Sequence, residues 1–194
     1  MNLETVAKIG QTVTVKGWIH TRRNMGKLAF LDMRDRSGIL QVVLVPSELS
    51  DAAKEQMESL RPEDCLEITG VINQRGEKQI NPNMPTGTVE MLAKDFSVYN
   101  HAQTPPFEVD KDTSAVNEEL RLKYRYLDLR SERMIKNLEL RARVSGFMRN
   151  FMTANGFLEV ETPYMTKGTP EGSREYLVPS RVHPGKFYVL PQSP

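Results

Sequence analysis

Phe30 lies in the stretch KLAFLDMRD, with acids and bases close on both sides. Side chains alternate along an extended chain, so Ala29, Leu31 and Met33 share one face there, and Leu28, Phe30, Asp32 and Arg34 share the other. A charged face is an unusual place for a ring whose only role is packing. With Arg22, Arg23 and Lys27 close by in sequence, an exposed ring suits stacking on an unpaired nucleobase beside a phosphate backbone. Gln41 interrupts the apolar run ILQVVLV and brings both a donor and an acceptor, the pair needed to read a base edge. The competing reading is that Phe30 plugs one end of a barrel and the arginines are merely solvated. A second candidate is the Gly/Pro-rich stretch TKGTPEGSREYLVPSR. Glu171 stands there between Pro170 and Gly172, where a bent backbone could present its carboxylate to a cationic ligand such as an amino group. Arg174 and Arg181 could meet anions, although an ordinary surface loop with solvated charges accounts for the same residues.

Other chemistries are excluded or unsupported. The sequence has no Walker motif, no GxGxxG, no HExxH and no Ser-His-Asp signal. His20, His101 and His183 are scattered, which argues against a histidine metal site. Cys65 is the only cysteine, so an internal disulfide and a cysteine-cluster zinc site are both ruled out. A formal net charge of +1 argues against coating nucleic acid by bulk charge, so any polyanion must meet a local patch. The opening MNLETVAKIGQ lacks a signal-peptide core and no later run approaches a membrane span, which makes a reducing, cytoplasmic setting the default expectation.

The elements that must position these residues fall into two blocks. Residues 1–100 read as β. TVTVKGWIH alternates, with Val13, Val15 and Ile19 on one face and Thr12, Thr14, Lys16 and Trp18 on the other. KLAFLDMRD and GILQVVLV follow, with Ser37-Gly38 as the turn between them. SELSDAAKEQMESL has helix formers behind a serine start, and CLEITGVINQR and TGTVEMLAKDFSVY are two further strands joined by GEKQINPNM. Five short strands with a helix between the third and fourth is the order of an OB-fold barrel. Residues 101–114 carry a Pro-Pro pair and little apolar content, and read as a linker or hinge. Across residues 115–194 the period changes to 3.6, with Met134, Ile135, Leu138, Val144, Phe147, Met148, Phe151 and Met152 at helical spacing. Ser131 is placed to cap this helix and Gly156 to end it. FLEVETP then reads as a strand stopped by Pro163, and FYVL as a buried strand before an apparent turn, Pro191-Gln192-Ser193-Pro194. The expected fold is a mixed α/β chain: an all-β OB-fold barrel followed by the beginning of an α+β domain.

At these residues the sequence resembles the bacterial-type aspartyl-tRNA synthetases, a family of class II aminoacyl-tRNA synthetases. The resemblance runs through GWIHTRRNMGKLAFLDMRDRSGILQVV, RLKYRYLDLR, GFLEVETP and TPEGSREYLVPSRVHPGKFYVLPQSP. RYLDLR and the motif ending in Pro163 are shared with lysyl and asparaginyl relatives, whereas TPEGSREYLVPSR is more specific to the aspartyl enzymes. Ser173 stands where the family more often has alanine. The resemblance implies that Phe30 stacks on an anticodon base, that Gln41 reads one, and that Arg23 and Glu90 also contact the anticodon loop of tRNA(Asp). It implies that GFLEVETP, with the helix before it, builds a homodimer interface ending at Pro163. It places Glu171 against the ammonium of L-aspartate and Ser193 at the edge of the same pocket. In the family's reaction aspartate attacks the α-phosphate of ATP with Mg²⁺ help, and the adenylate is transferred to the tRNA 3′ end; no membrane or DNA partner is implied.

The same resemblance implies that Pro194 is a cut, because the segments that would follow LPQSP, with the arginines that hold ATP, are not in the 194 residues. No catalytic residue, metal ligand or cofactor site is therefore expected in this segment, and the chain alone is expected to make no adenylate. Met25 and Lys78 stand near where aspartate and asparagine tRNAs are told apart, and methionine at the first leans towards the strict kind of enzyme. The alternatives are an asparaginyl or lysyl relative, and a naturally short, non-catalytic tRNA-binding module descended from a synthetase.

Overall fold

A computed structural model describes residues 1–168 and 175–190. The chain divides into two compact units, Met1–Ile135 and Lys136–Pro194.

The first unit is built on a closed five-stranded barrel. Its strands are β1 (Thr12–Met25), β2 (Leu28–Asp35), β3 (Gly38–Leu44), β4 (Cys65–Gln74) and β5 (Val89–Asn100), hydrogen-bonded in the order β1-β2-β3-β5-β4. All pairs are antiparallel except β3 with β5. This is the OB-fold topology expected from the strand order. Alternation fills the core: Val15 and Ile19 from β1, Ala29, Leu31 and Met33 from β2, Leu66, Ile68 and Ile72 from β4, and Met91 and Ala93 from β5 are all buried. A short helix, α1 (Asp51–Gln56), separates β3 from β4 and buries Ala53. It starts at Ser50, whose hydroxyl oxygen accepts the amide of Ala53 at 3.2 Å, so one of the unpaired amides at the helix start is satisfied.

Residues 101–114 leave the barrel but are tied to it. The Asp64 carboxylate, fully buried, accepts the amide of Ala102 at 2.8 Å and the amide of Arg61 at 2.9 Å. Val109 is buried, and the Thr113 hydroxyl donates to Asp128 at 2.6 Å. Two short helices follow, α2 (Glu118–Lys123) and α3 (Arg125–Asp128). Glu63, held at φ 71, pairs with Arg34 at 3.1 Å and with Arg130 of the RYLDLR stretch.

This cluster sets an acid response. Burial pushes the Glu63 carboxyl up, but hydrogen bonds from Arg34 and Arg130 outweigh burial and hold it below its ordinary 4.5. Burial, and next the Arg34 charge, hold His20 below its ordinary 6.5. Both folded values lie below the unfolded ones, so both contributions are complete above those ordinary values and are lost as pH falls through the folded values. Urea unfolding should therefore show stability falling in two parts as pH drops, the His20 part from about pH 6.5 downward and the Glu63 part from about pH 4.5 downward. Glu63→Gln should lower stability at neutral pH and flatten the lower part of that drop; an unchanged pH profile would contradict the assignment.

The second unit begins within the long helix α4 (Glu132–Ala154). Ser131 precedes it, and its carbonyl accepts the amide of Ile135 at 2.9 Å. The helix ends as expected at Gly156, φ 85: the Gly156 amide reaches Thr153 and the Phe157 amide reaches Met152, both at 3.1 Å, the paired bonds of a Schellman cap. Its apolar face stays open, with Phe147 68% and Met148 61% exposed. Residues 157–163 correct the sequence reading, because they form no strand and are exposed throughout. A strand needs a ladder partner, and the described residues offer this segment none. FYVL does form a strand, β7 (Phe187–Leu190), antiparallel to β6 (Tyr176–Pro179). It is not buried as expected: only Val189 is, since two strands cannot cover both faces of each other. The β6 segment was not foreseen; its sequence YLVP carries the β-branched and aromatic signal, hidden by the Gly/Pro-rich run before it. The turn expected at residues 191–194 lies outside the described residues.

Candidate nucleic-acid interface

Six residues from the barrel strands gather on one outer face: Thr21 and Arg23 of β1, Phe30 and Asp32 of β2, Gln41 of β3 and Glu90 of β5. Antiparallel pairing sets Arg23 opposite Phe30, Thr21 opposite Asp32, and Asp32 opposite Gln41. The parallel register of β3 and β5, Val42 with Met91, brings Gln41 beside Glu90. A β-bulge makes this possible. Val15 and Ile19 point inward, so strict alternation would also turn Thr21 and Arg23 inward. The register shifts between Ile19 and Thr21, leaving His20 as the extra residue, and the following odd-numbered residues face out.

Phe30 is partly exposed on this face and outside the core cluster, so it does not plug the barrel. Around it the polar groups form a chain. Asp32 accepts from the Thr21 hydroxyl at 2.6 Å and from Arg23 Nη2 at 3.1 Å. The same Nη2 donates to Gln41 Oε1 at 3.2 Å, and Gln41 Nε2 donates to Glu90 Oε2 at 2.9 Å. Arg23 keeps 55% of its side chain exposed, and Lys27 is exposed in the β1–β2 turn. A ring flanked by exposed cations and by an amide and a carboxylate is the equipment for holding one unpaired base and pairing with another.

Arg22, counted from sequence among the cations beside Phe30, is otherwise engaged. Its Nη1 donates to the carbonyls of Glu58 and Leu60 at 3.1 and 2.6 Å, and its side chain is 13% exposed. Arg75 was missed. It directly follows β4, its side chain is 4% exposed, and its Nε lies 3.6 Å from Glu90 Oε2. An arginine after a strand looks solvated in sequence; only the fold shows it buried. Met25 closes β1 at 66% exposure, and Lys78 is exposed on the one-turn 3₁₀ helix Glu77–Gln79.

In the second unit Pro163 is exposed, and Arg181 is exposed within the β6–β7 connection. Glu171, Arg174 and Ser193 lie outside the described residues. Among the described residues no three His, Cys, Asp or Glu side chains gather where a metal ion could be held, and no helix is long and apolar enough to cross a membrane.

Comparison with known proteins gives matches over two stretches of the chain. Residues 13–99 match the model of an OB-fold nucleic acid binding domain, and residues 117–194 match that of the class II tRNA synthetases (D, K and N). Among solved structures, asparaginyl-tRNA synthetase from Pyrococcus horikoshii superposes with a TM-score of 0.77 at 23% identity, over 96% of this chain and 41% of that one. The Entamoeba histolytica asparaginyl-tRNA synthetase gives 0.69 at 25% identity, over 95% and 40%. The chain is thus an OB-fold barrel followed by a stretch that matches the class II synthetases of the D, K and N group.

Within that group it is a homologue of the bacterial aspartate–tRNA ligases. It is 52% identical over 186 residues to the aspartate–tRNA(Asp/Asn) ligase of Anoxybacillus flavithermus, covering 96% of this chain and 31% of the relative. It is 50% identical over 190 residues to the aspartate–tRNA ligase of Bacillus licheniformis, covering 98% and 32%. The chain therefore spans about a third of these relatives' length.

Proposed function

We propose that this chain is the anticodon-binding barrel and the opening of the catalytic domain of an aspartate–tRNA ligase, an enzyme that activates L-aspartate with ATP and transfers it to tRNA(Asp). The observation that carries this reading is the single outer face shared by Arg23, Phe30, Gln41 and Glu90 on an OB barrel, in a chain 52% identical over 186 residues to a bacterial aspartate–tRNA(Asp/Asn) ligase. On that face Phe30 stacks on an anticodon base, and Gln41 and Glu90 pair with base edges. Arg23, anchored by Asp32, steadies Gln41 through its bond to the amide oxygen. Met25, at the end of β1, and Lys78, on the 3₁₀ helix after β4, bear on which tRNA is accepted, and methionine favours tRNA(Asp) over tRNA(Asn).

In the complete enzyme Glu171 meets the ammonium of aspartate, Ser193 borders that pocket, and the segment ending at Pro163 contributes to a homodimer interface. ATP and Mg²⁺ serve the activation step, which here is assigned to no described residue. The setting is cytoplasmic. The test is a pair of assays. A protein that carries this chain at the full length of its relatives should charge tRNA(Asp) with radiolabelled aspartate. The 194 residues alone should show no aspartate-dependent ATP–pyrophosphate exchange while still binding the tRNA. Charging with lysine or asparagine, or exchange by the 194 residues alone, would contradict the proposal.

A further inference from the structure

Every group that could read a base on the barrel face is already turned to a neighbour. Arg23 donates to Gln41, and Gln41 donates to Glu90. A base that turns the Gln41 amide fully towards itself draws it off Glu90 and leaves that carboxylate short of a donor, which is costly in a partly buried position. Arg75 has donors in reserve there. Its Nε and Nη2 are sealed from solvent with no hydrogen-bond partner among the described residues, and its Nη1 reaches only the Gln79 carbonyl at 3.4 Å. A buried guanidinium so poorly paired is itself expensive, and its Nε stands 3.6 Å from the Glu90 oxygen that Gln41 now occupies. A shift of under about one ångström would convert that contact into a charge-assisted hydrogen bond.

We infer that Arg75 is a positioning residue for Glu90: it takes up the Glu90 carboxylate when Gln41 turns to an unpaired RNA base, and holds Glu90 facing a base edge that offers N–H donors. This rests on the reading of the face proposed above. It differs from a phosphate contact, because Arg75 Nε and Nη2 are closed to solvent and act through another protein group. A carboxylate only accepts, so the base it meets must present N–H groups.

The experiment titrates the 194-residue chain, Arg75→Gln, Arg75→Lys, Glu90→Gln and the Arg75→Gln/Glu90→Gln double variant. The probes are an RNA stem-loop with the anticodon GUC and three derivatives, each with one anticodon base made abasic, at several salt concentrations. Arg75→Gln should weaken GUC binding by about five-fold or more. That loss should vanish on one abasic loop, the same one on which the Glu90→Gln loss vanishes. The double variant should bind no more weakly than Glu90→Gln alone, as expected of residues that act as one unit. The salt slope should be unchanged, whereas loss of a phosphate contact would reduce it by about one. Should Arg75→Gln melt below the assay temperature, Arg75→Lys carries the same comparison, since it keeps the charge but loses the planar fork. A loss equal on all four loops, additivity with Glu90→Gln, or a reduced salt slope would each overturn the inference. A Glu90→Gln variant that binds GUC like wild type would overturn the reading of the face, and the inference with it.

Discussion

Phe30→Ala is expected to weaken binding of an anticodon stem-loop to the barrel by about ten-fold or more, because stacking one base on an aromatic ring is worth about 1–3 kcal/mol. The ring is placed for this. It stands on the outer face of β2, opposite Arg23 on β1 and opposite Val43 on β3, and is partly open to solvent. Arg23 lends a cation beside the stack, 55% exposed and fixed by Asp32. Alanine removes the platform and leaves those cations in place, so the salt dependence should persist while affinity falls. Phe30→Tyr, which keeps a flat ring, should retain most of the binding. Isothermal titration at one salt concentration, with a melting curve for each variant, checks this. A folded Phe30→Ala variant that binds as tightly as wild type would remove Phe30 from the interface.

Gly70→Ala is expected to destabilise the barrel by about 3 kcal/mol, the high end for forcing one extra group into a tight space. A Cβ built at Gly70 would lie 2.3 Å from the Leu92 carbonyl oxygen and 2.9 Å from Ala93 Cα. Both are backbone atoms of β5, so no rotamer change relieves the clash. The ladder between β4 and β5 already shifts register between Thr69 and Gly70, and glycine is what allows the two backbones to close there. Displacing β5 would also disturb the β3–β5 pairing that brings Gln41 beside Glu90. RNA affinity should therefore fall along with stability. Gly76→Ala is the matched control: its Cβ would meet only the end of the Gln79 side chain, at 3.6 Å, and should change stability by no more than about 0.5 kcal/mol. Urea unfolding of the two variants decides it, and a Gly70→Ala midpoint equal to wild type would contradict the account of barrel closure.

Much of the barrel could be read from period-two patterns, because each strand has one buried and one open face. Ala29, Leu31 and Met33 went inward, and Phe30 outward, as alternation required. What the pattern hides is any break in it. Arg23 reaches the outer face only because His20 forms a bulge, and no local residue signal marks that bulge. Arg75 illustrates a second limit, since burial of a charged side chain at a strand end depends on which loop folds over it. The stretch 101–114 shows a third: its Pro-Pro pair and polar residues suggest a free strap, yet the Asp64 and Asp128 carboxylates that hold it come from elements distant in sequence. Residues 157–163 failed in the opposite direction. Their composition favours a strand, but pairing is a property of neighbours, and propensity cannot supply a neighbour. The family resemblance assigned roles to Glu90 and Ser193 that spacing alone did not single out.

The most direct test of the barrel face as an anticodon reader is a titration at one moderate salt concentration. It compares stem-loops bearing GUC, GUU and an unrelated anticodon, each against the wild-type chain and Phe30→Ala. The expected result is tightest binding of GUC, by about ten-fold over the unrelated loop, with the preference abolished in Phe30→Ala. Equal binding of all three loops, unaffected by Phe30→Ala, would contradict it and leave the barrel with no role in reading bases.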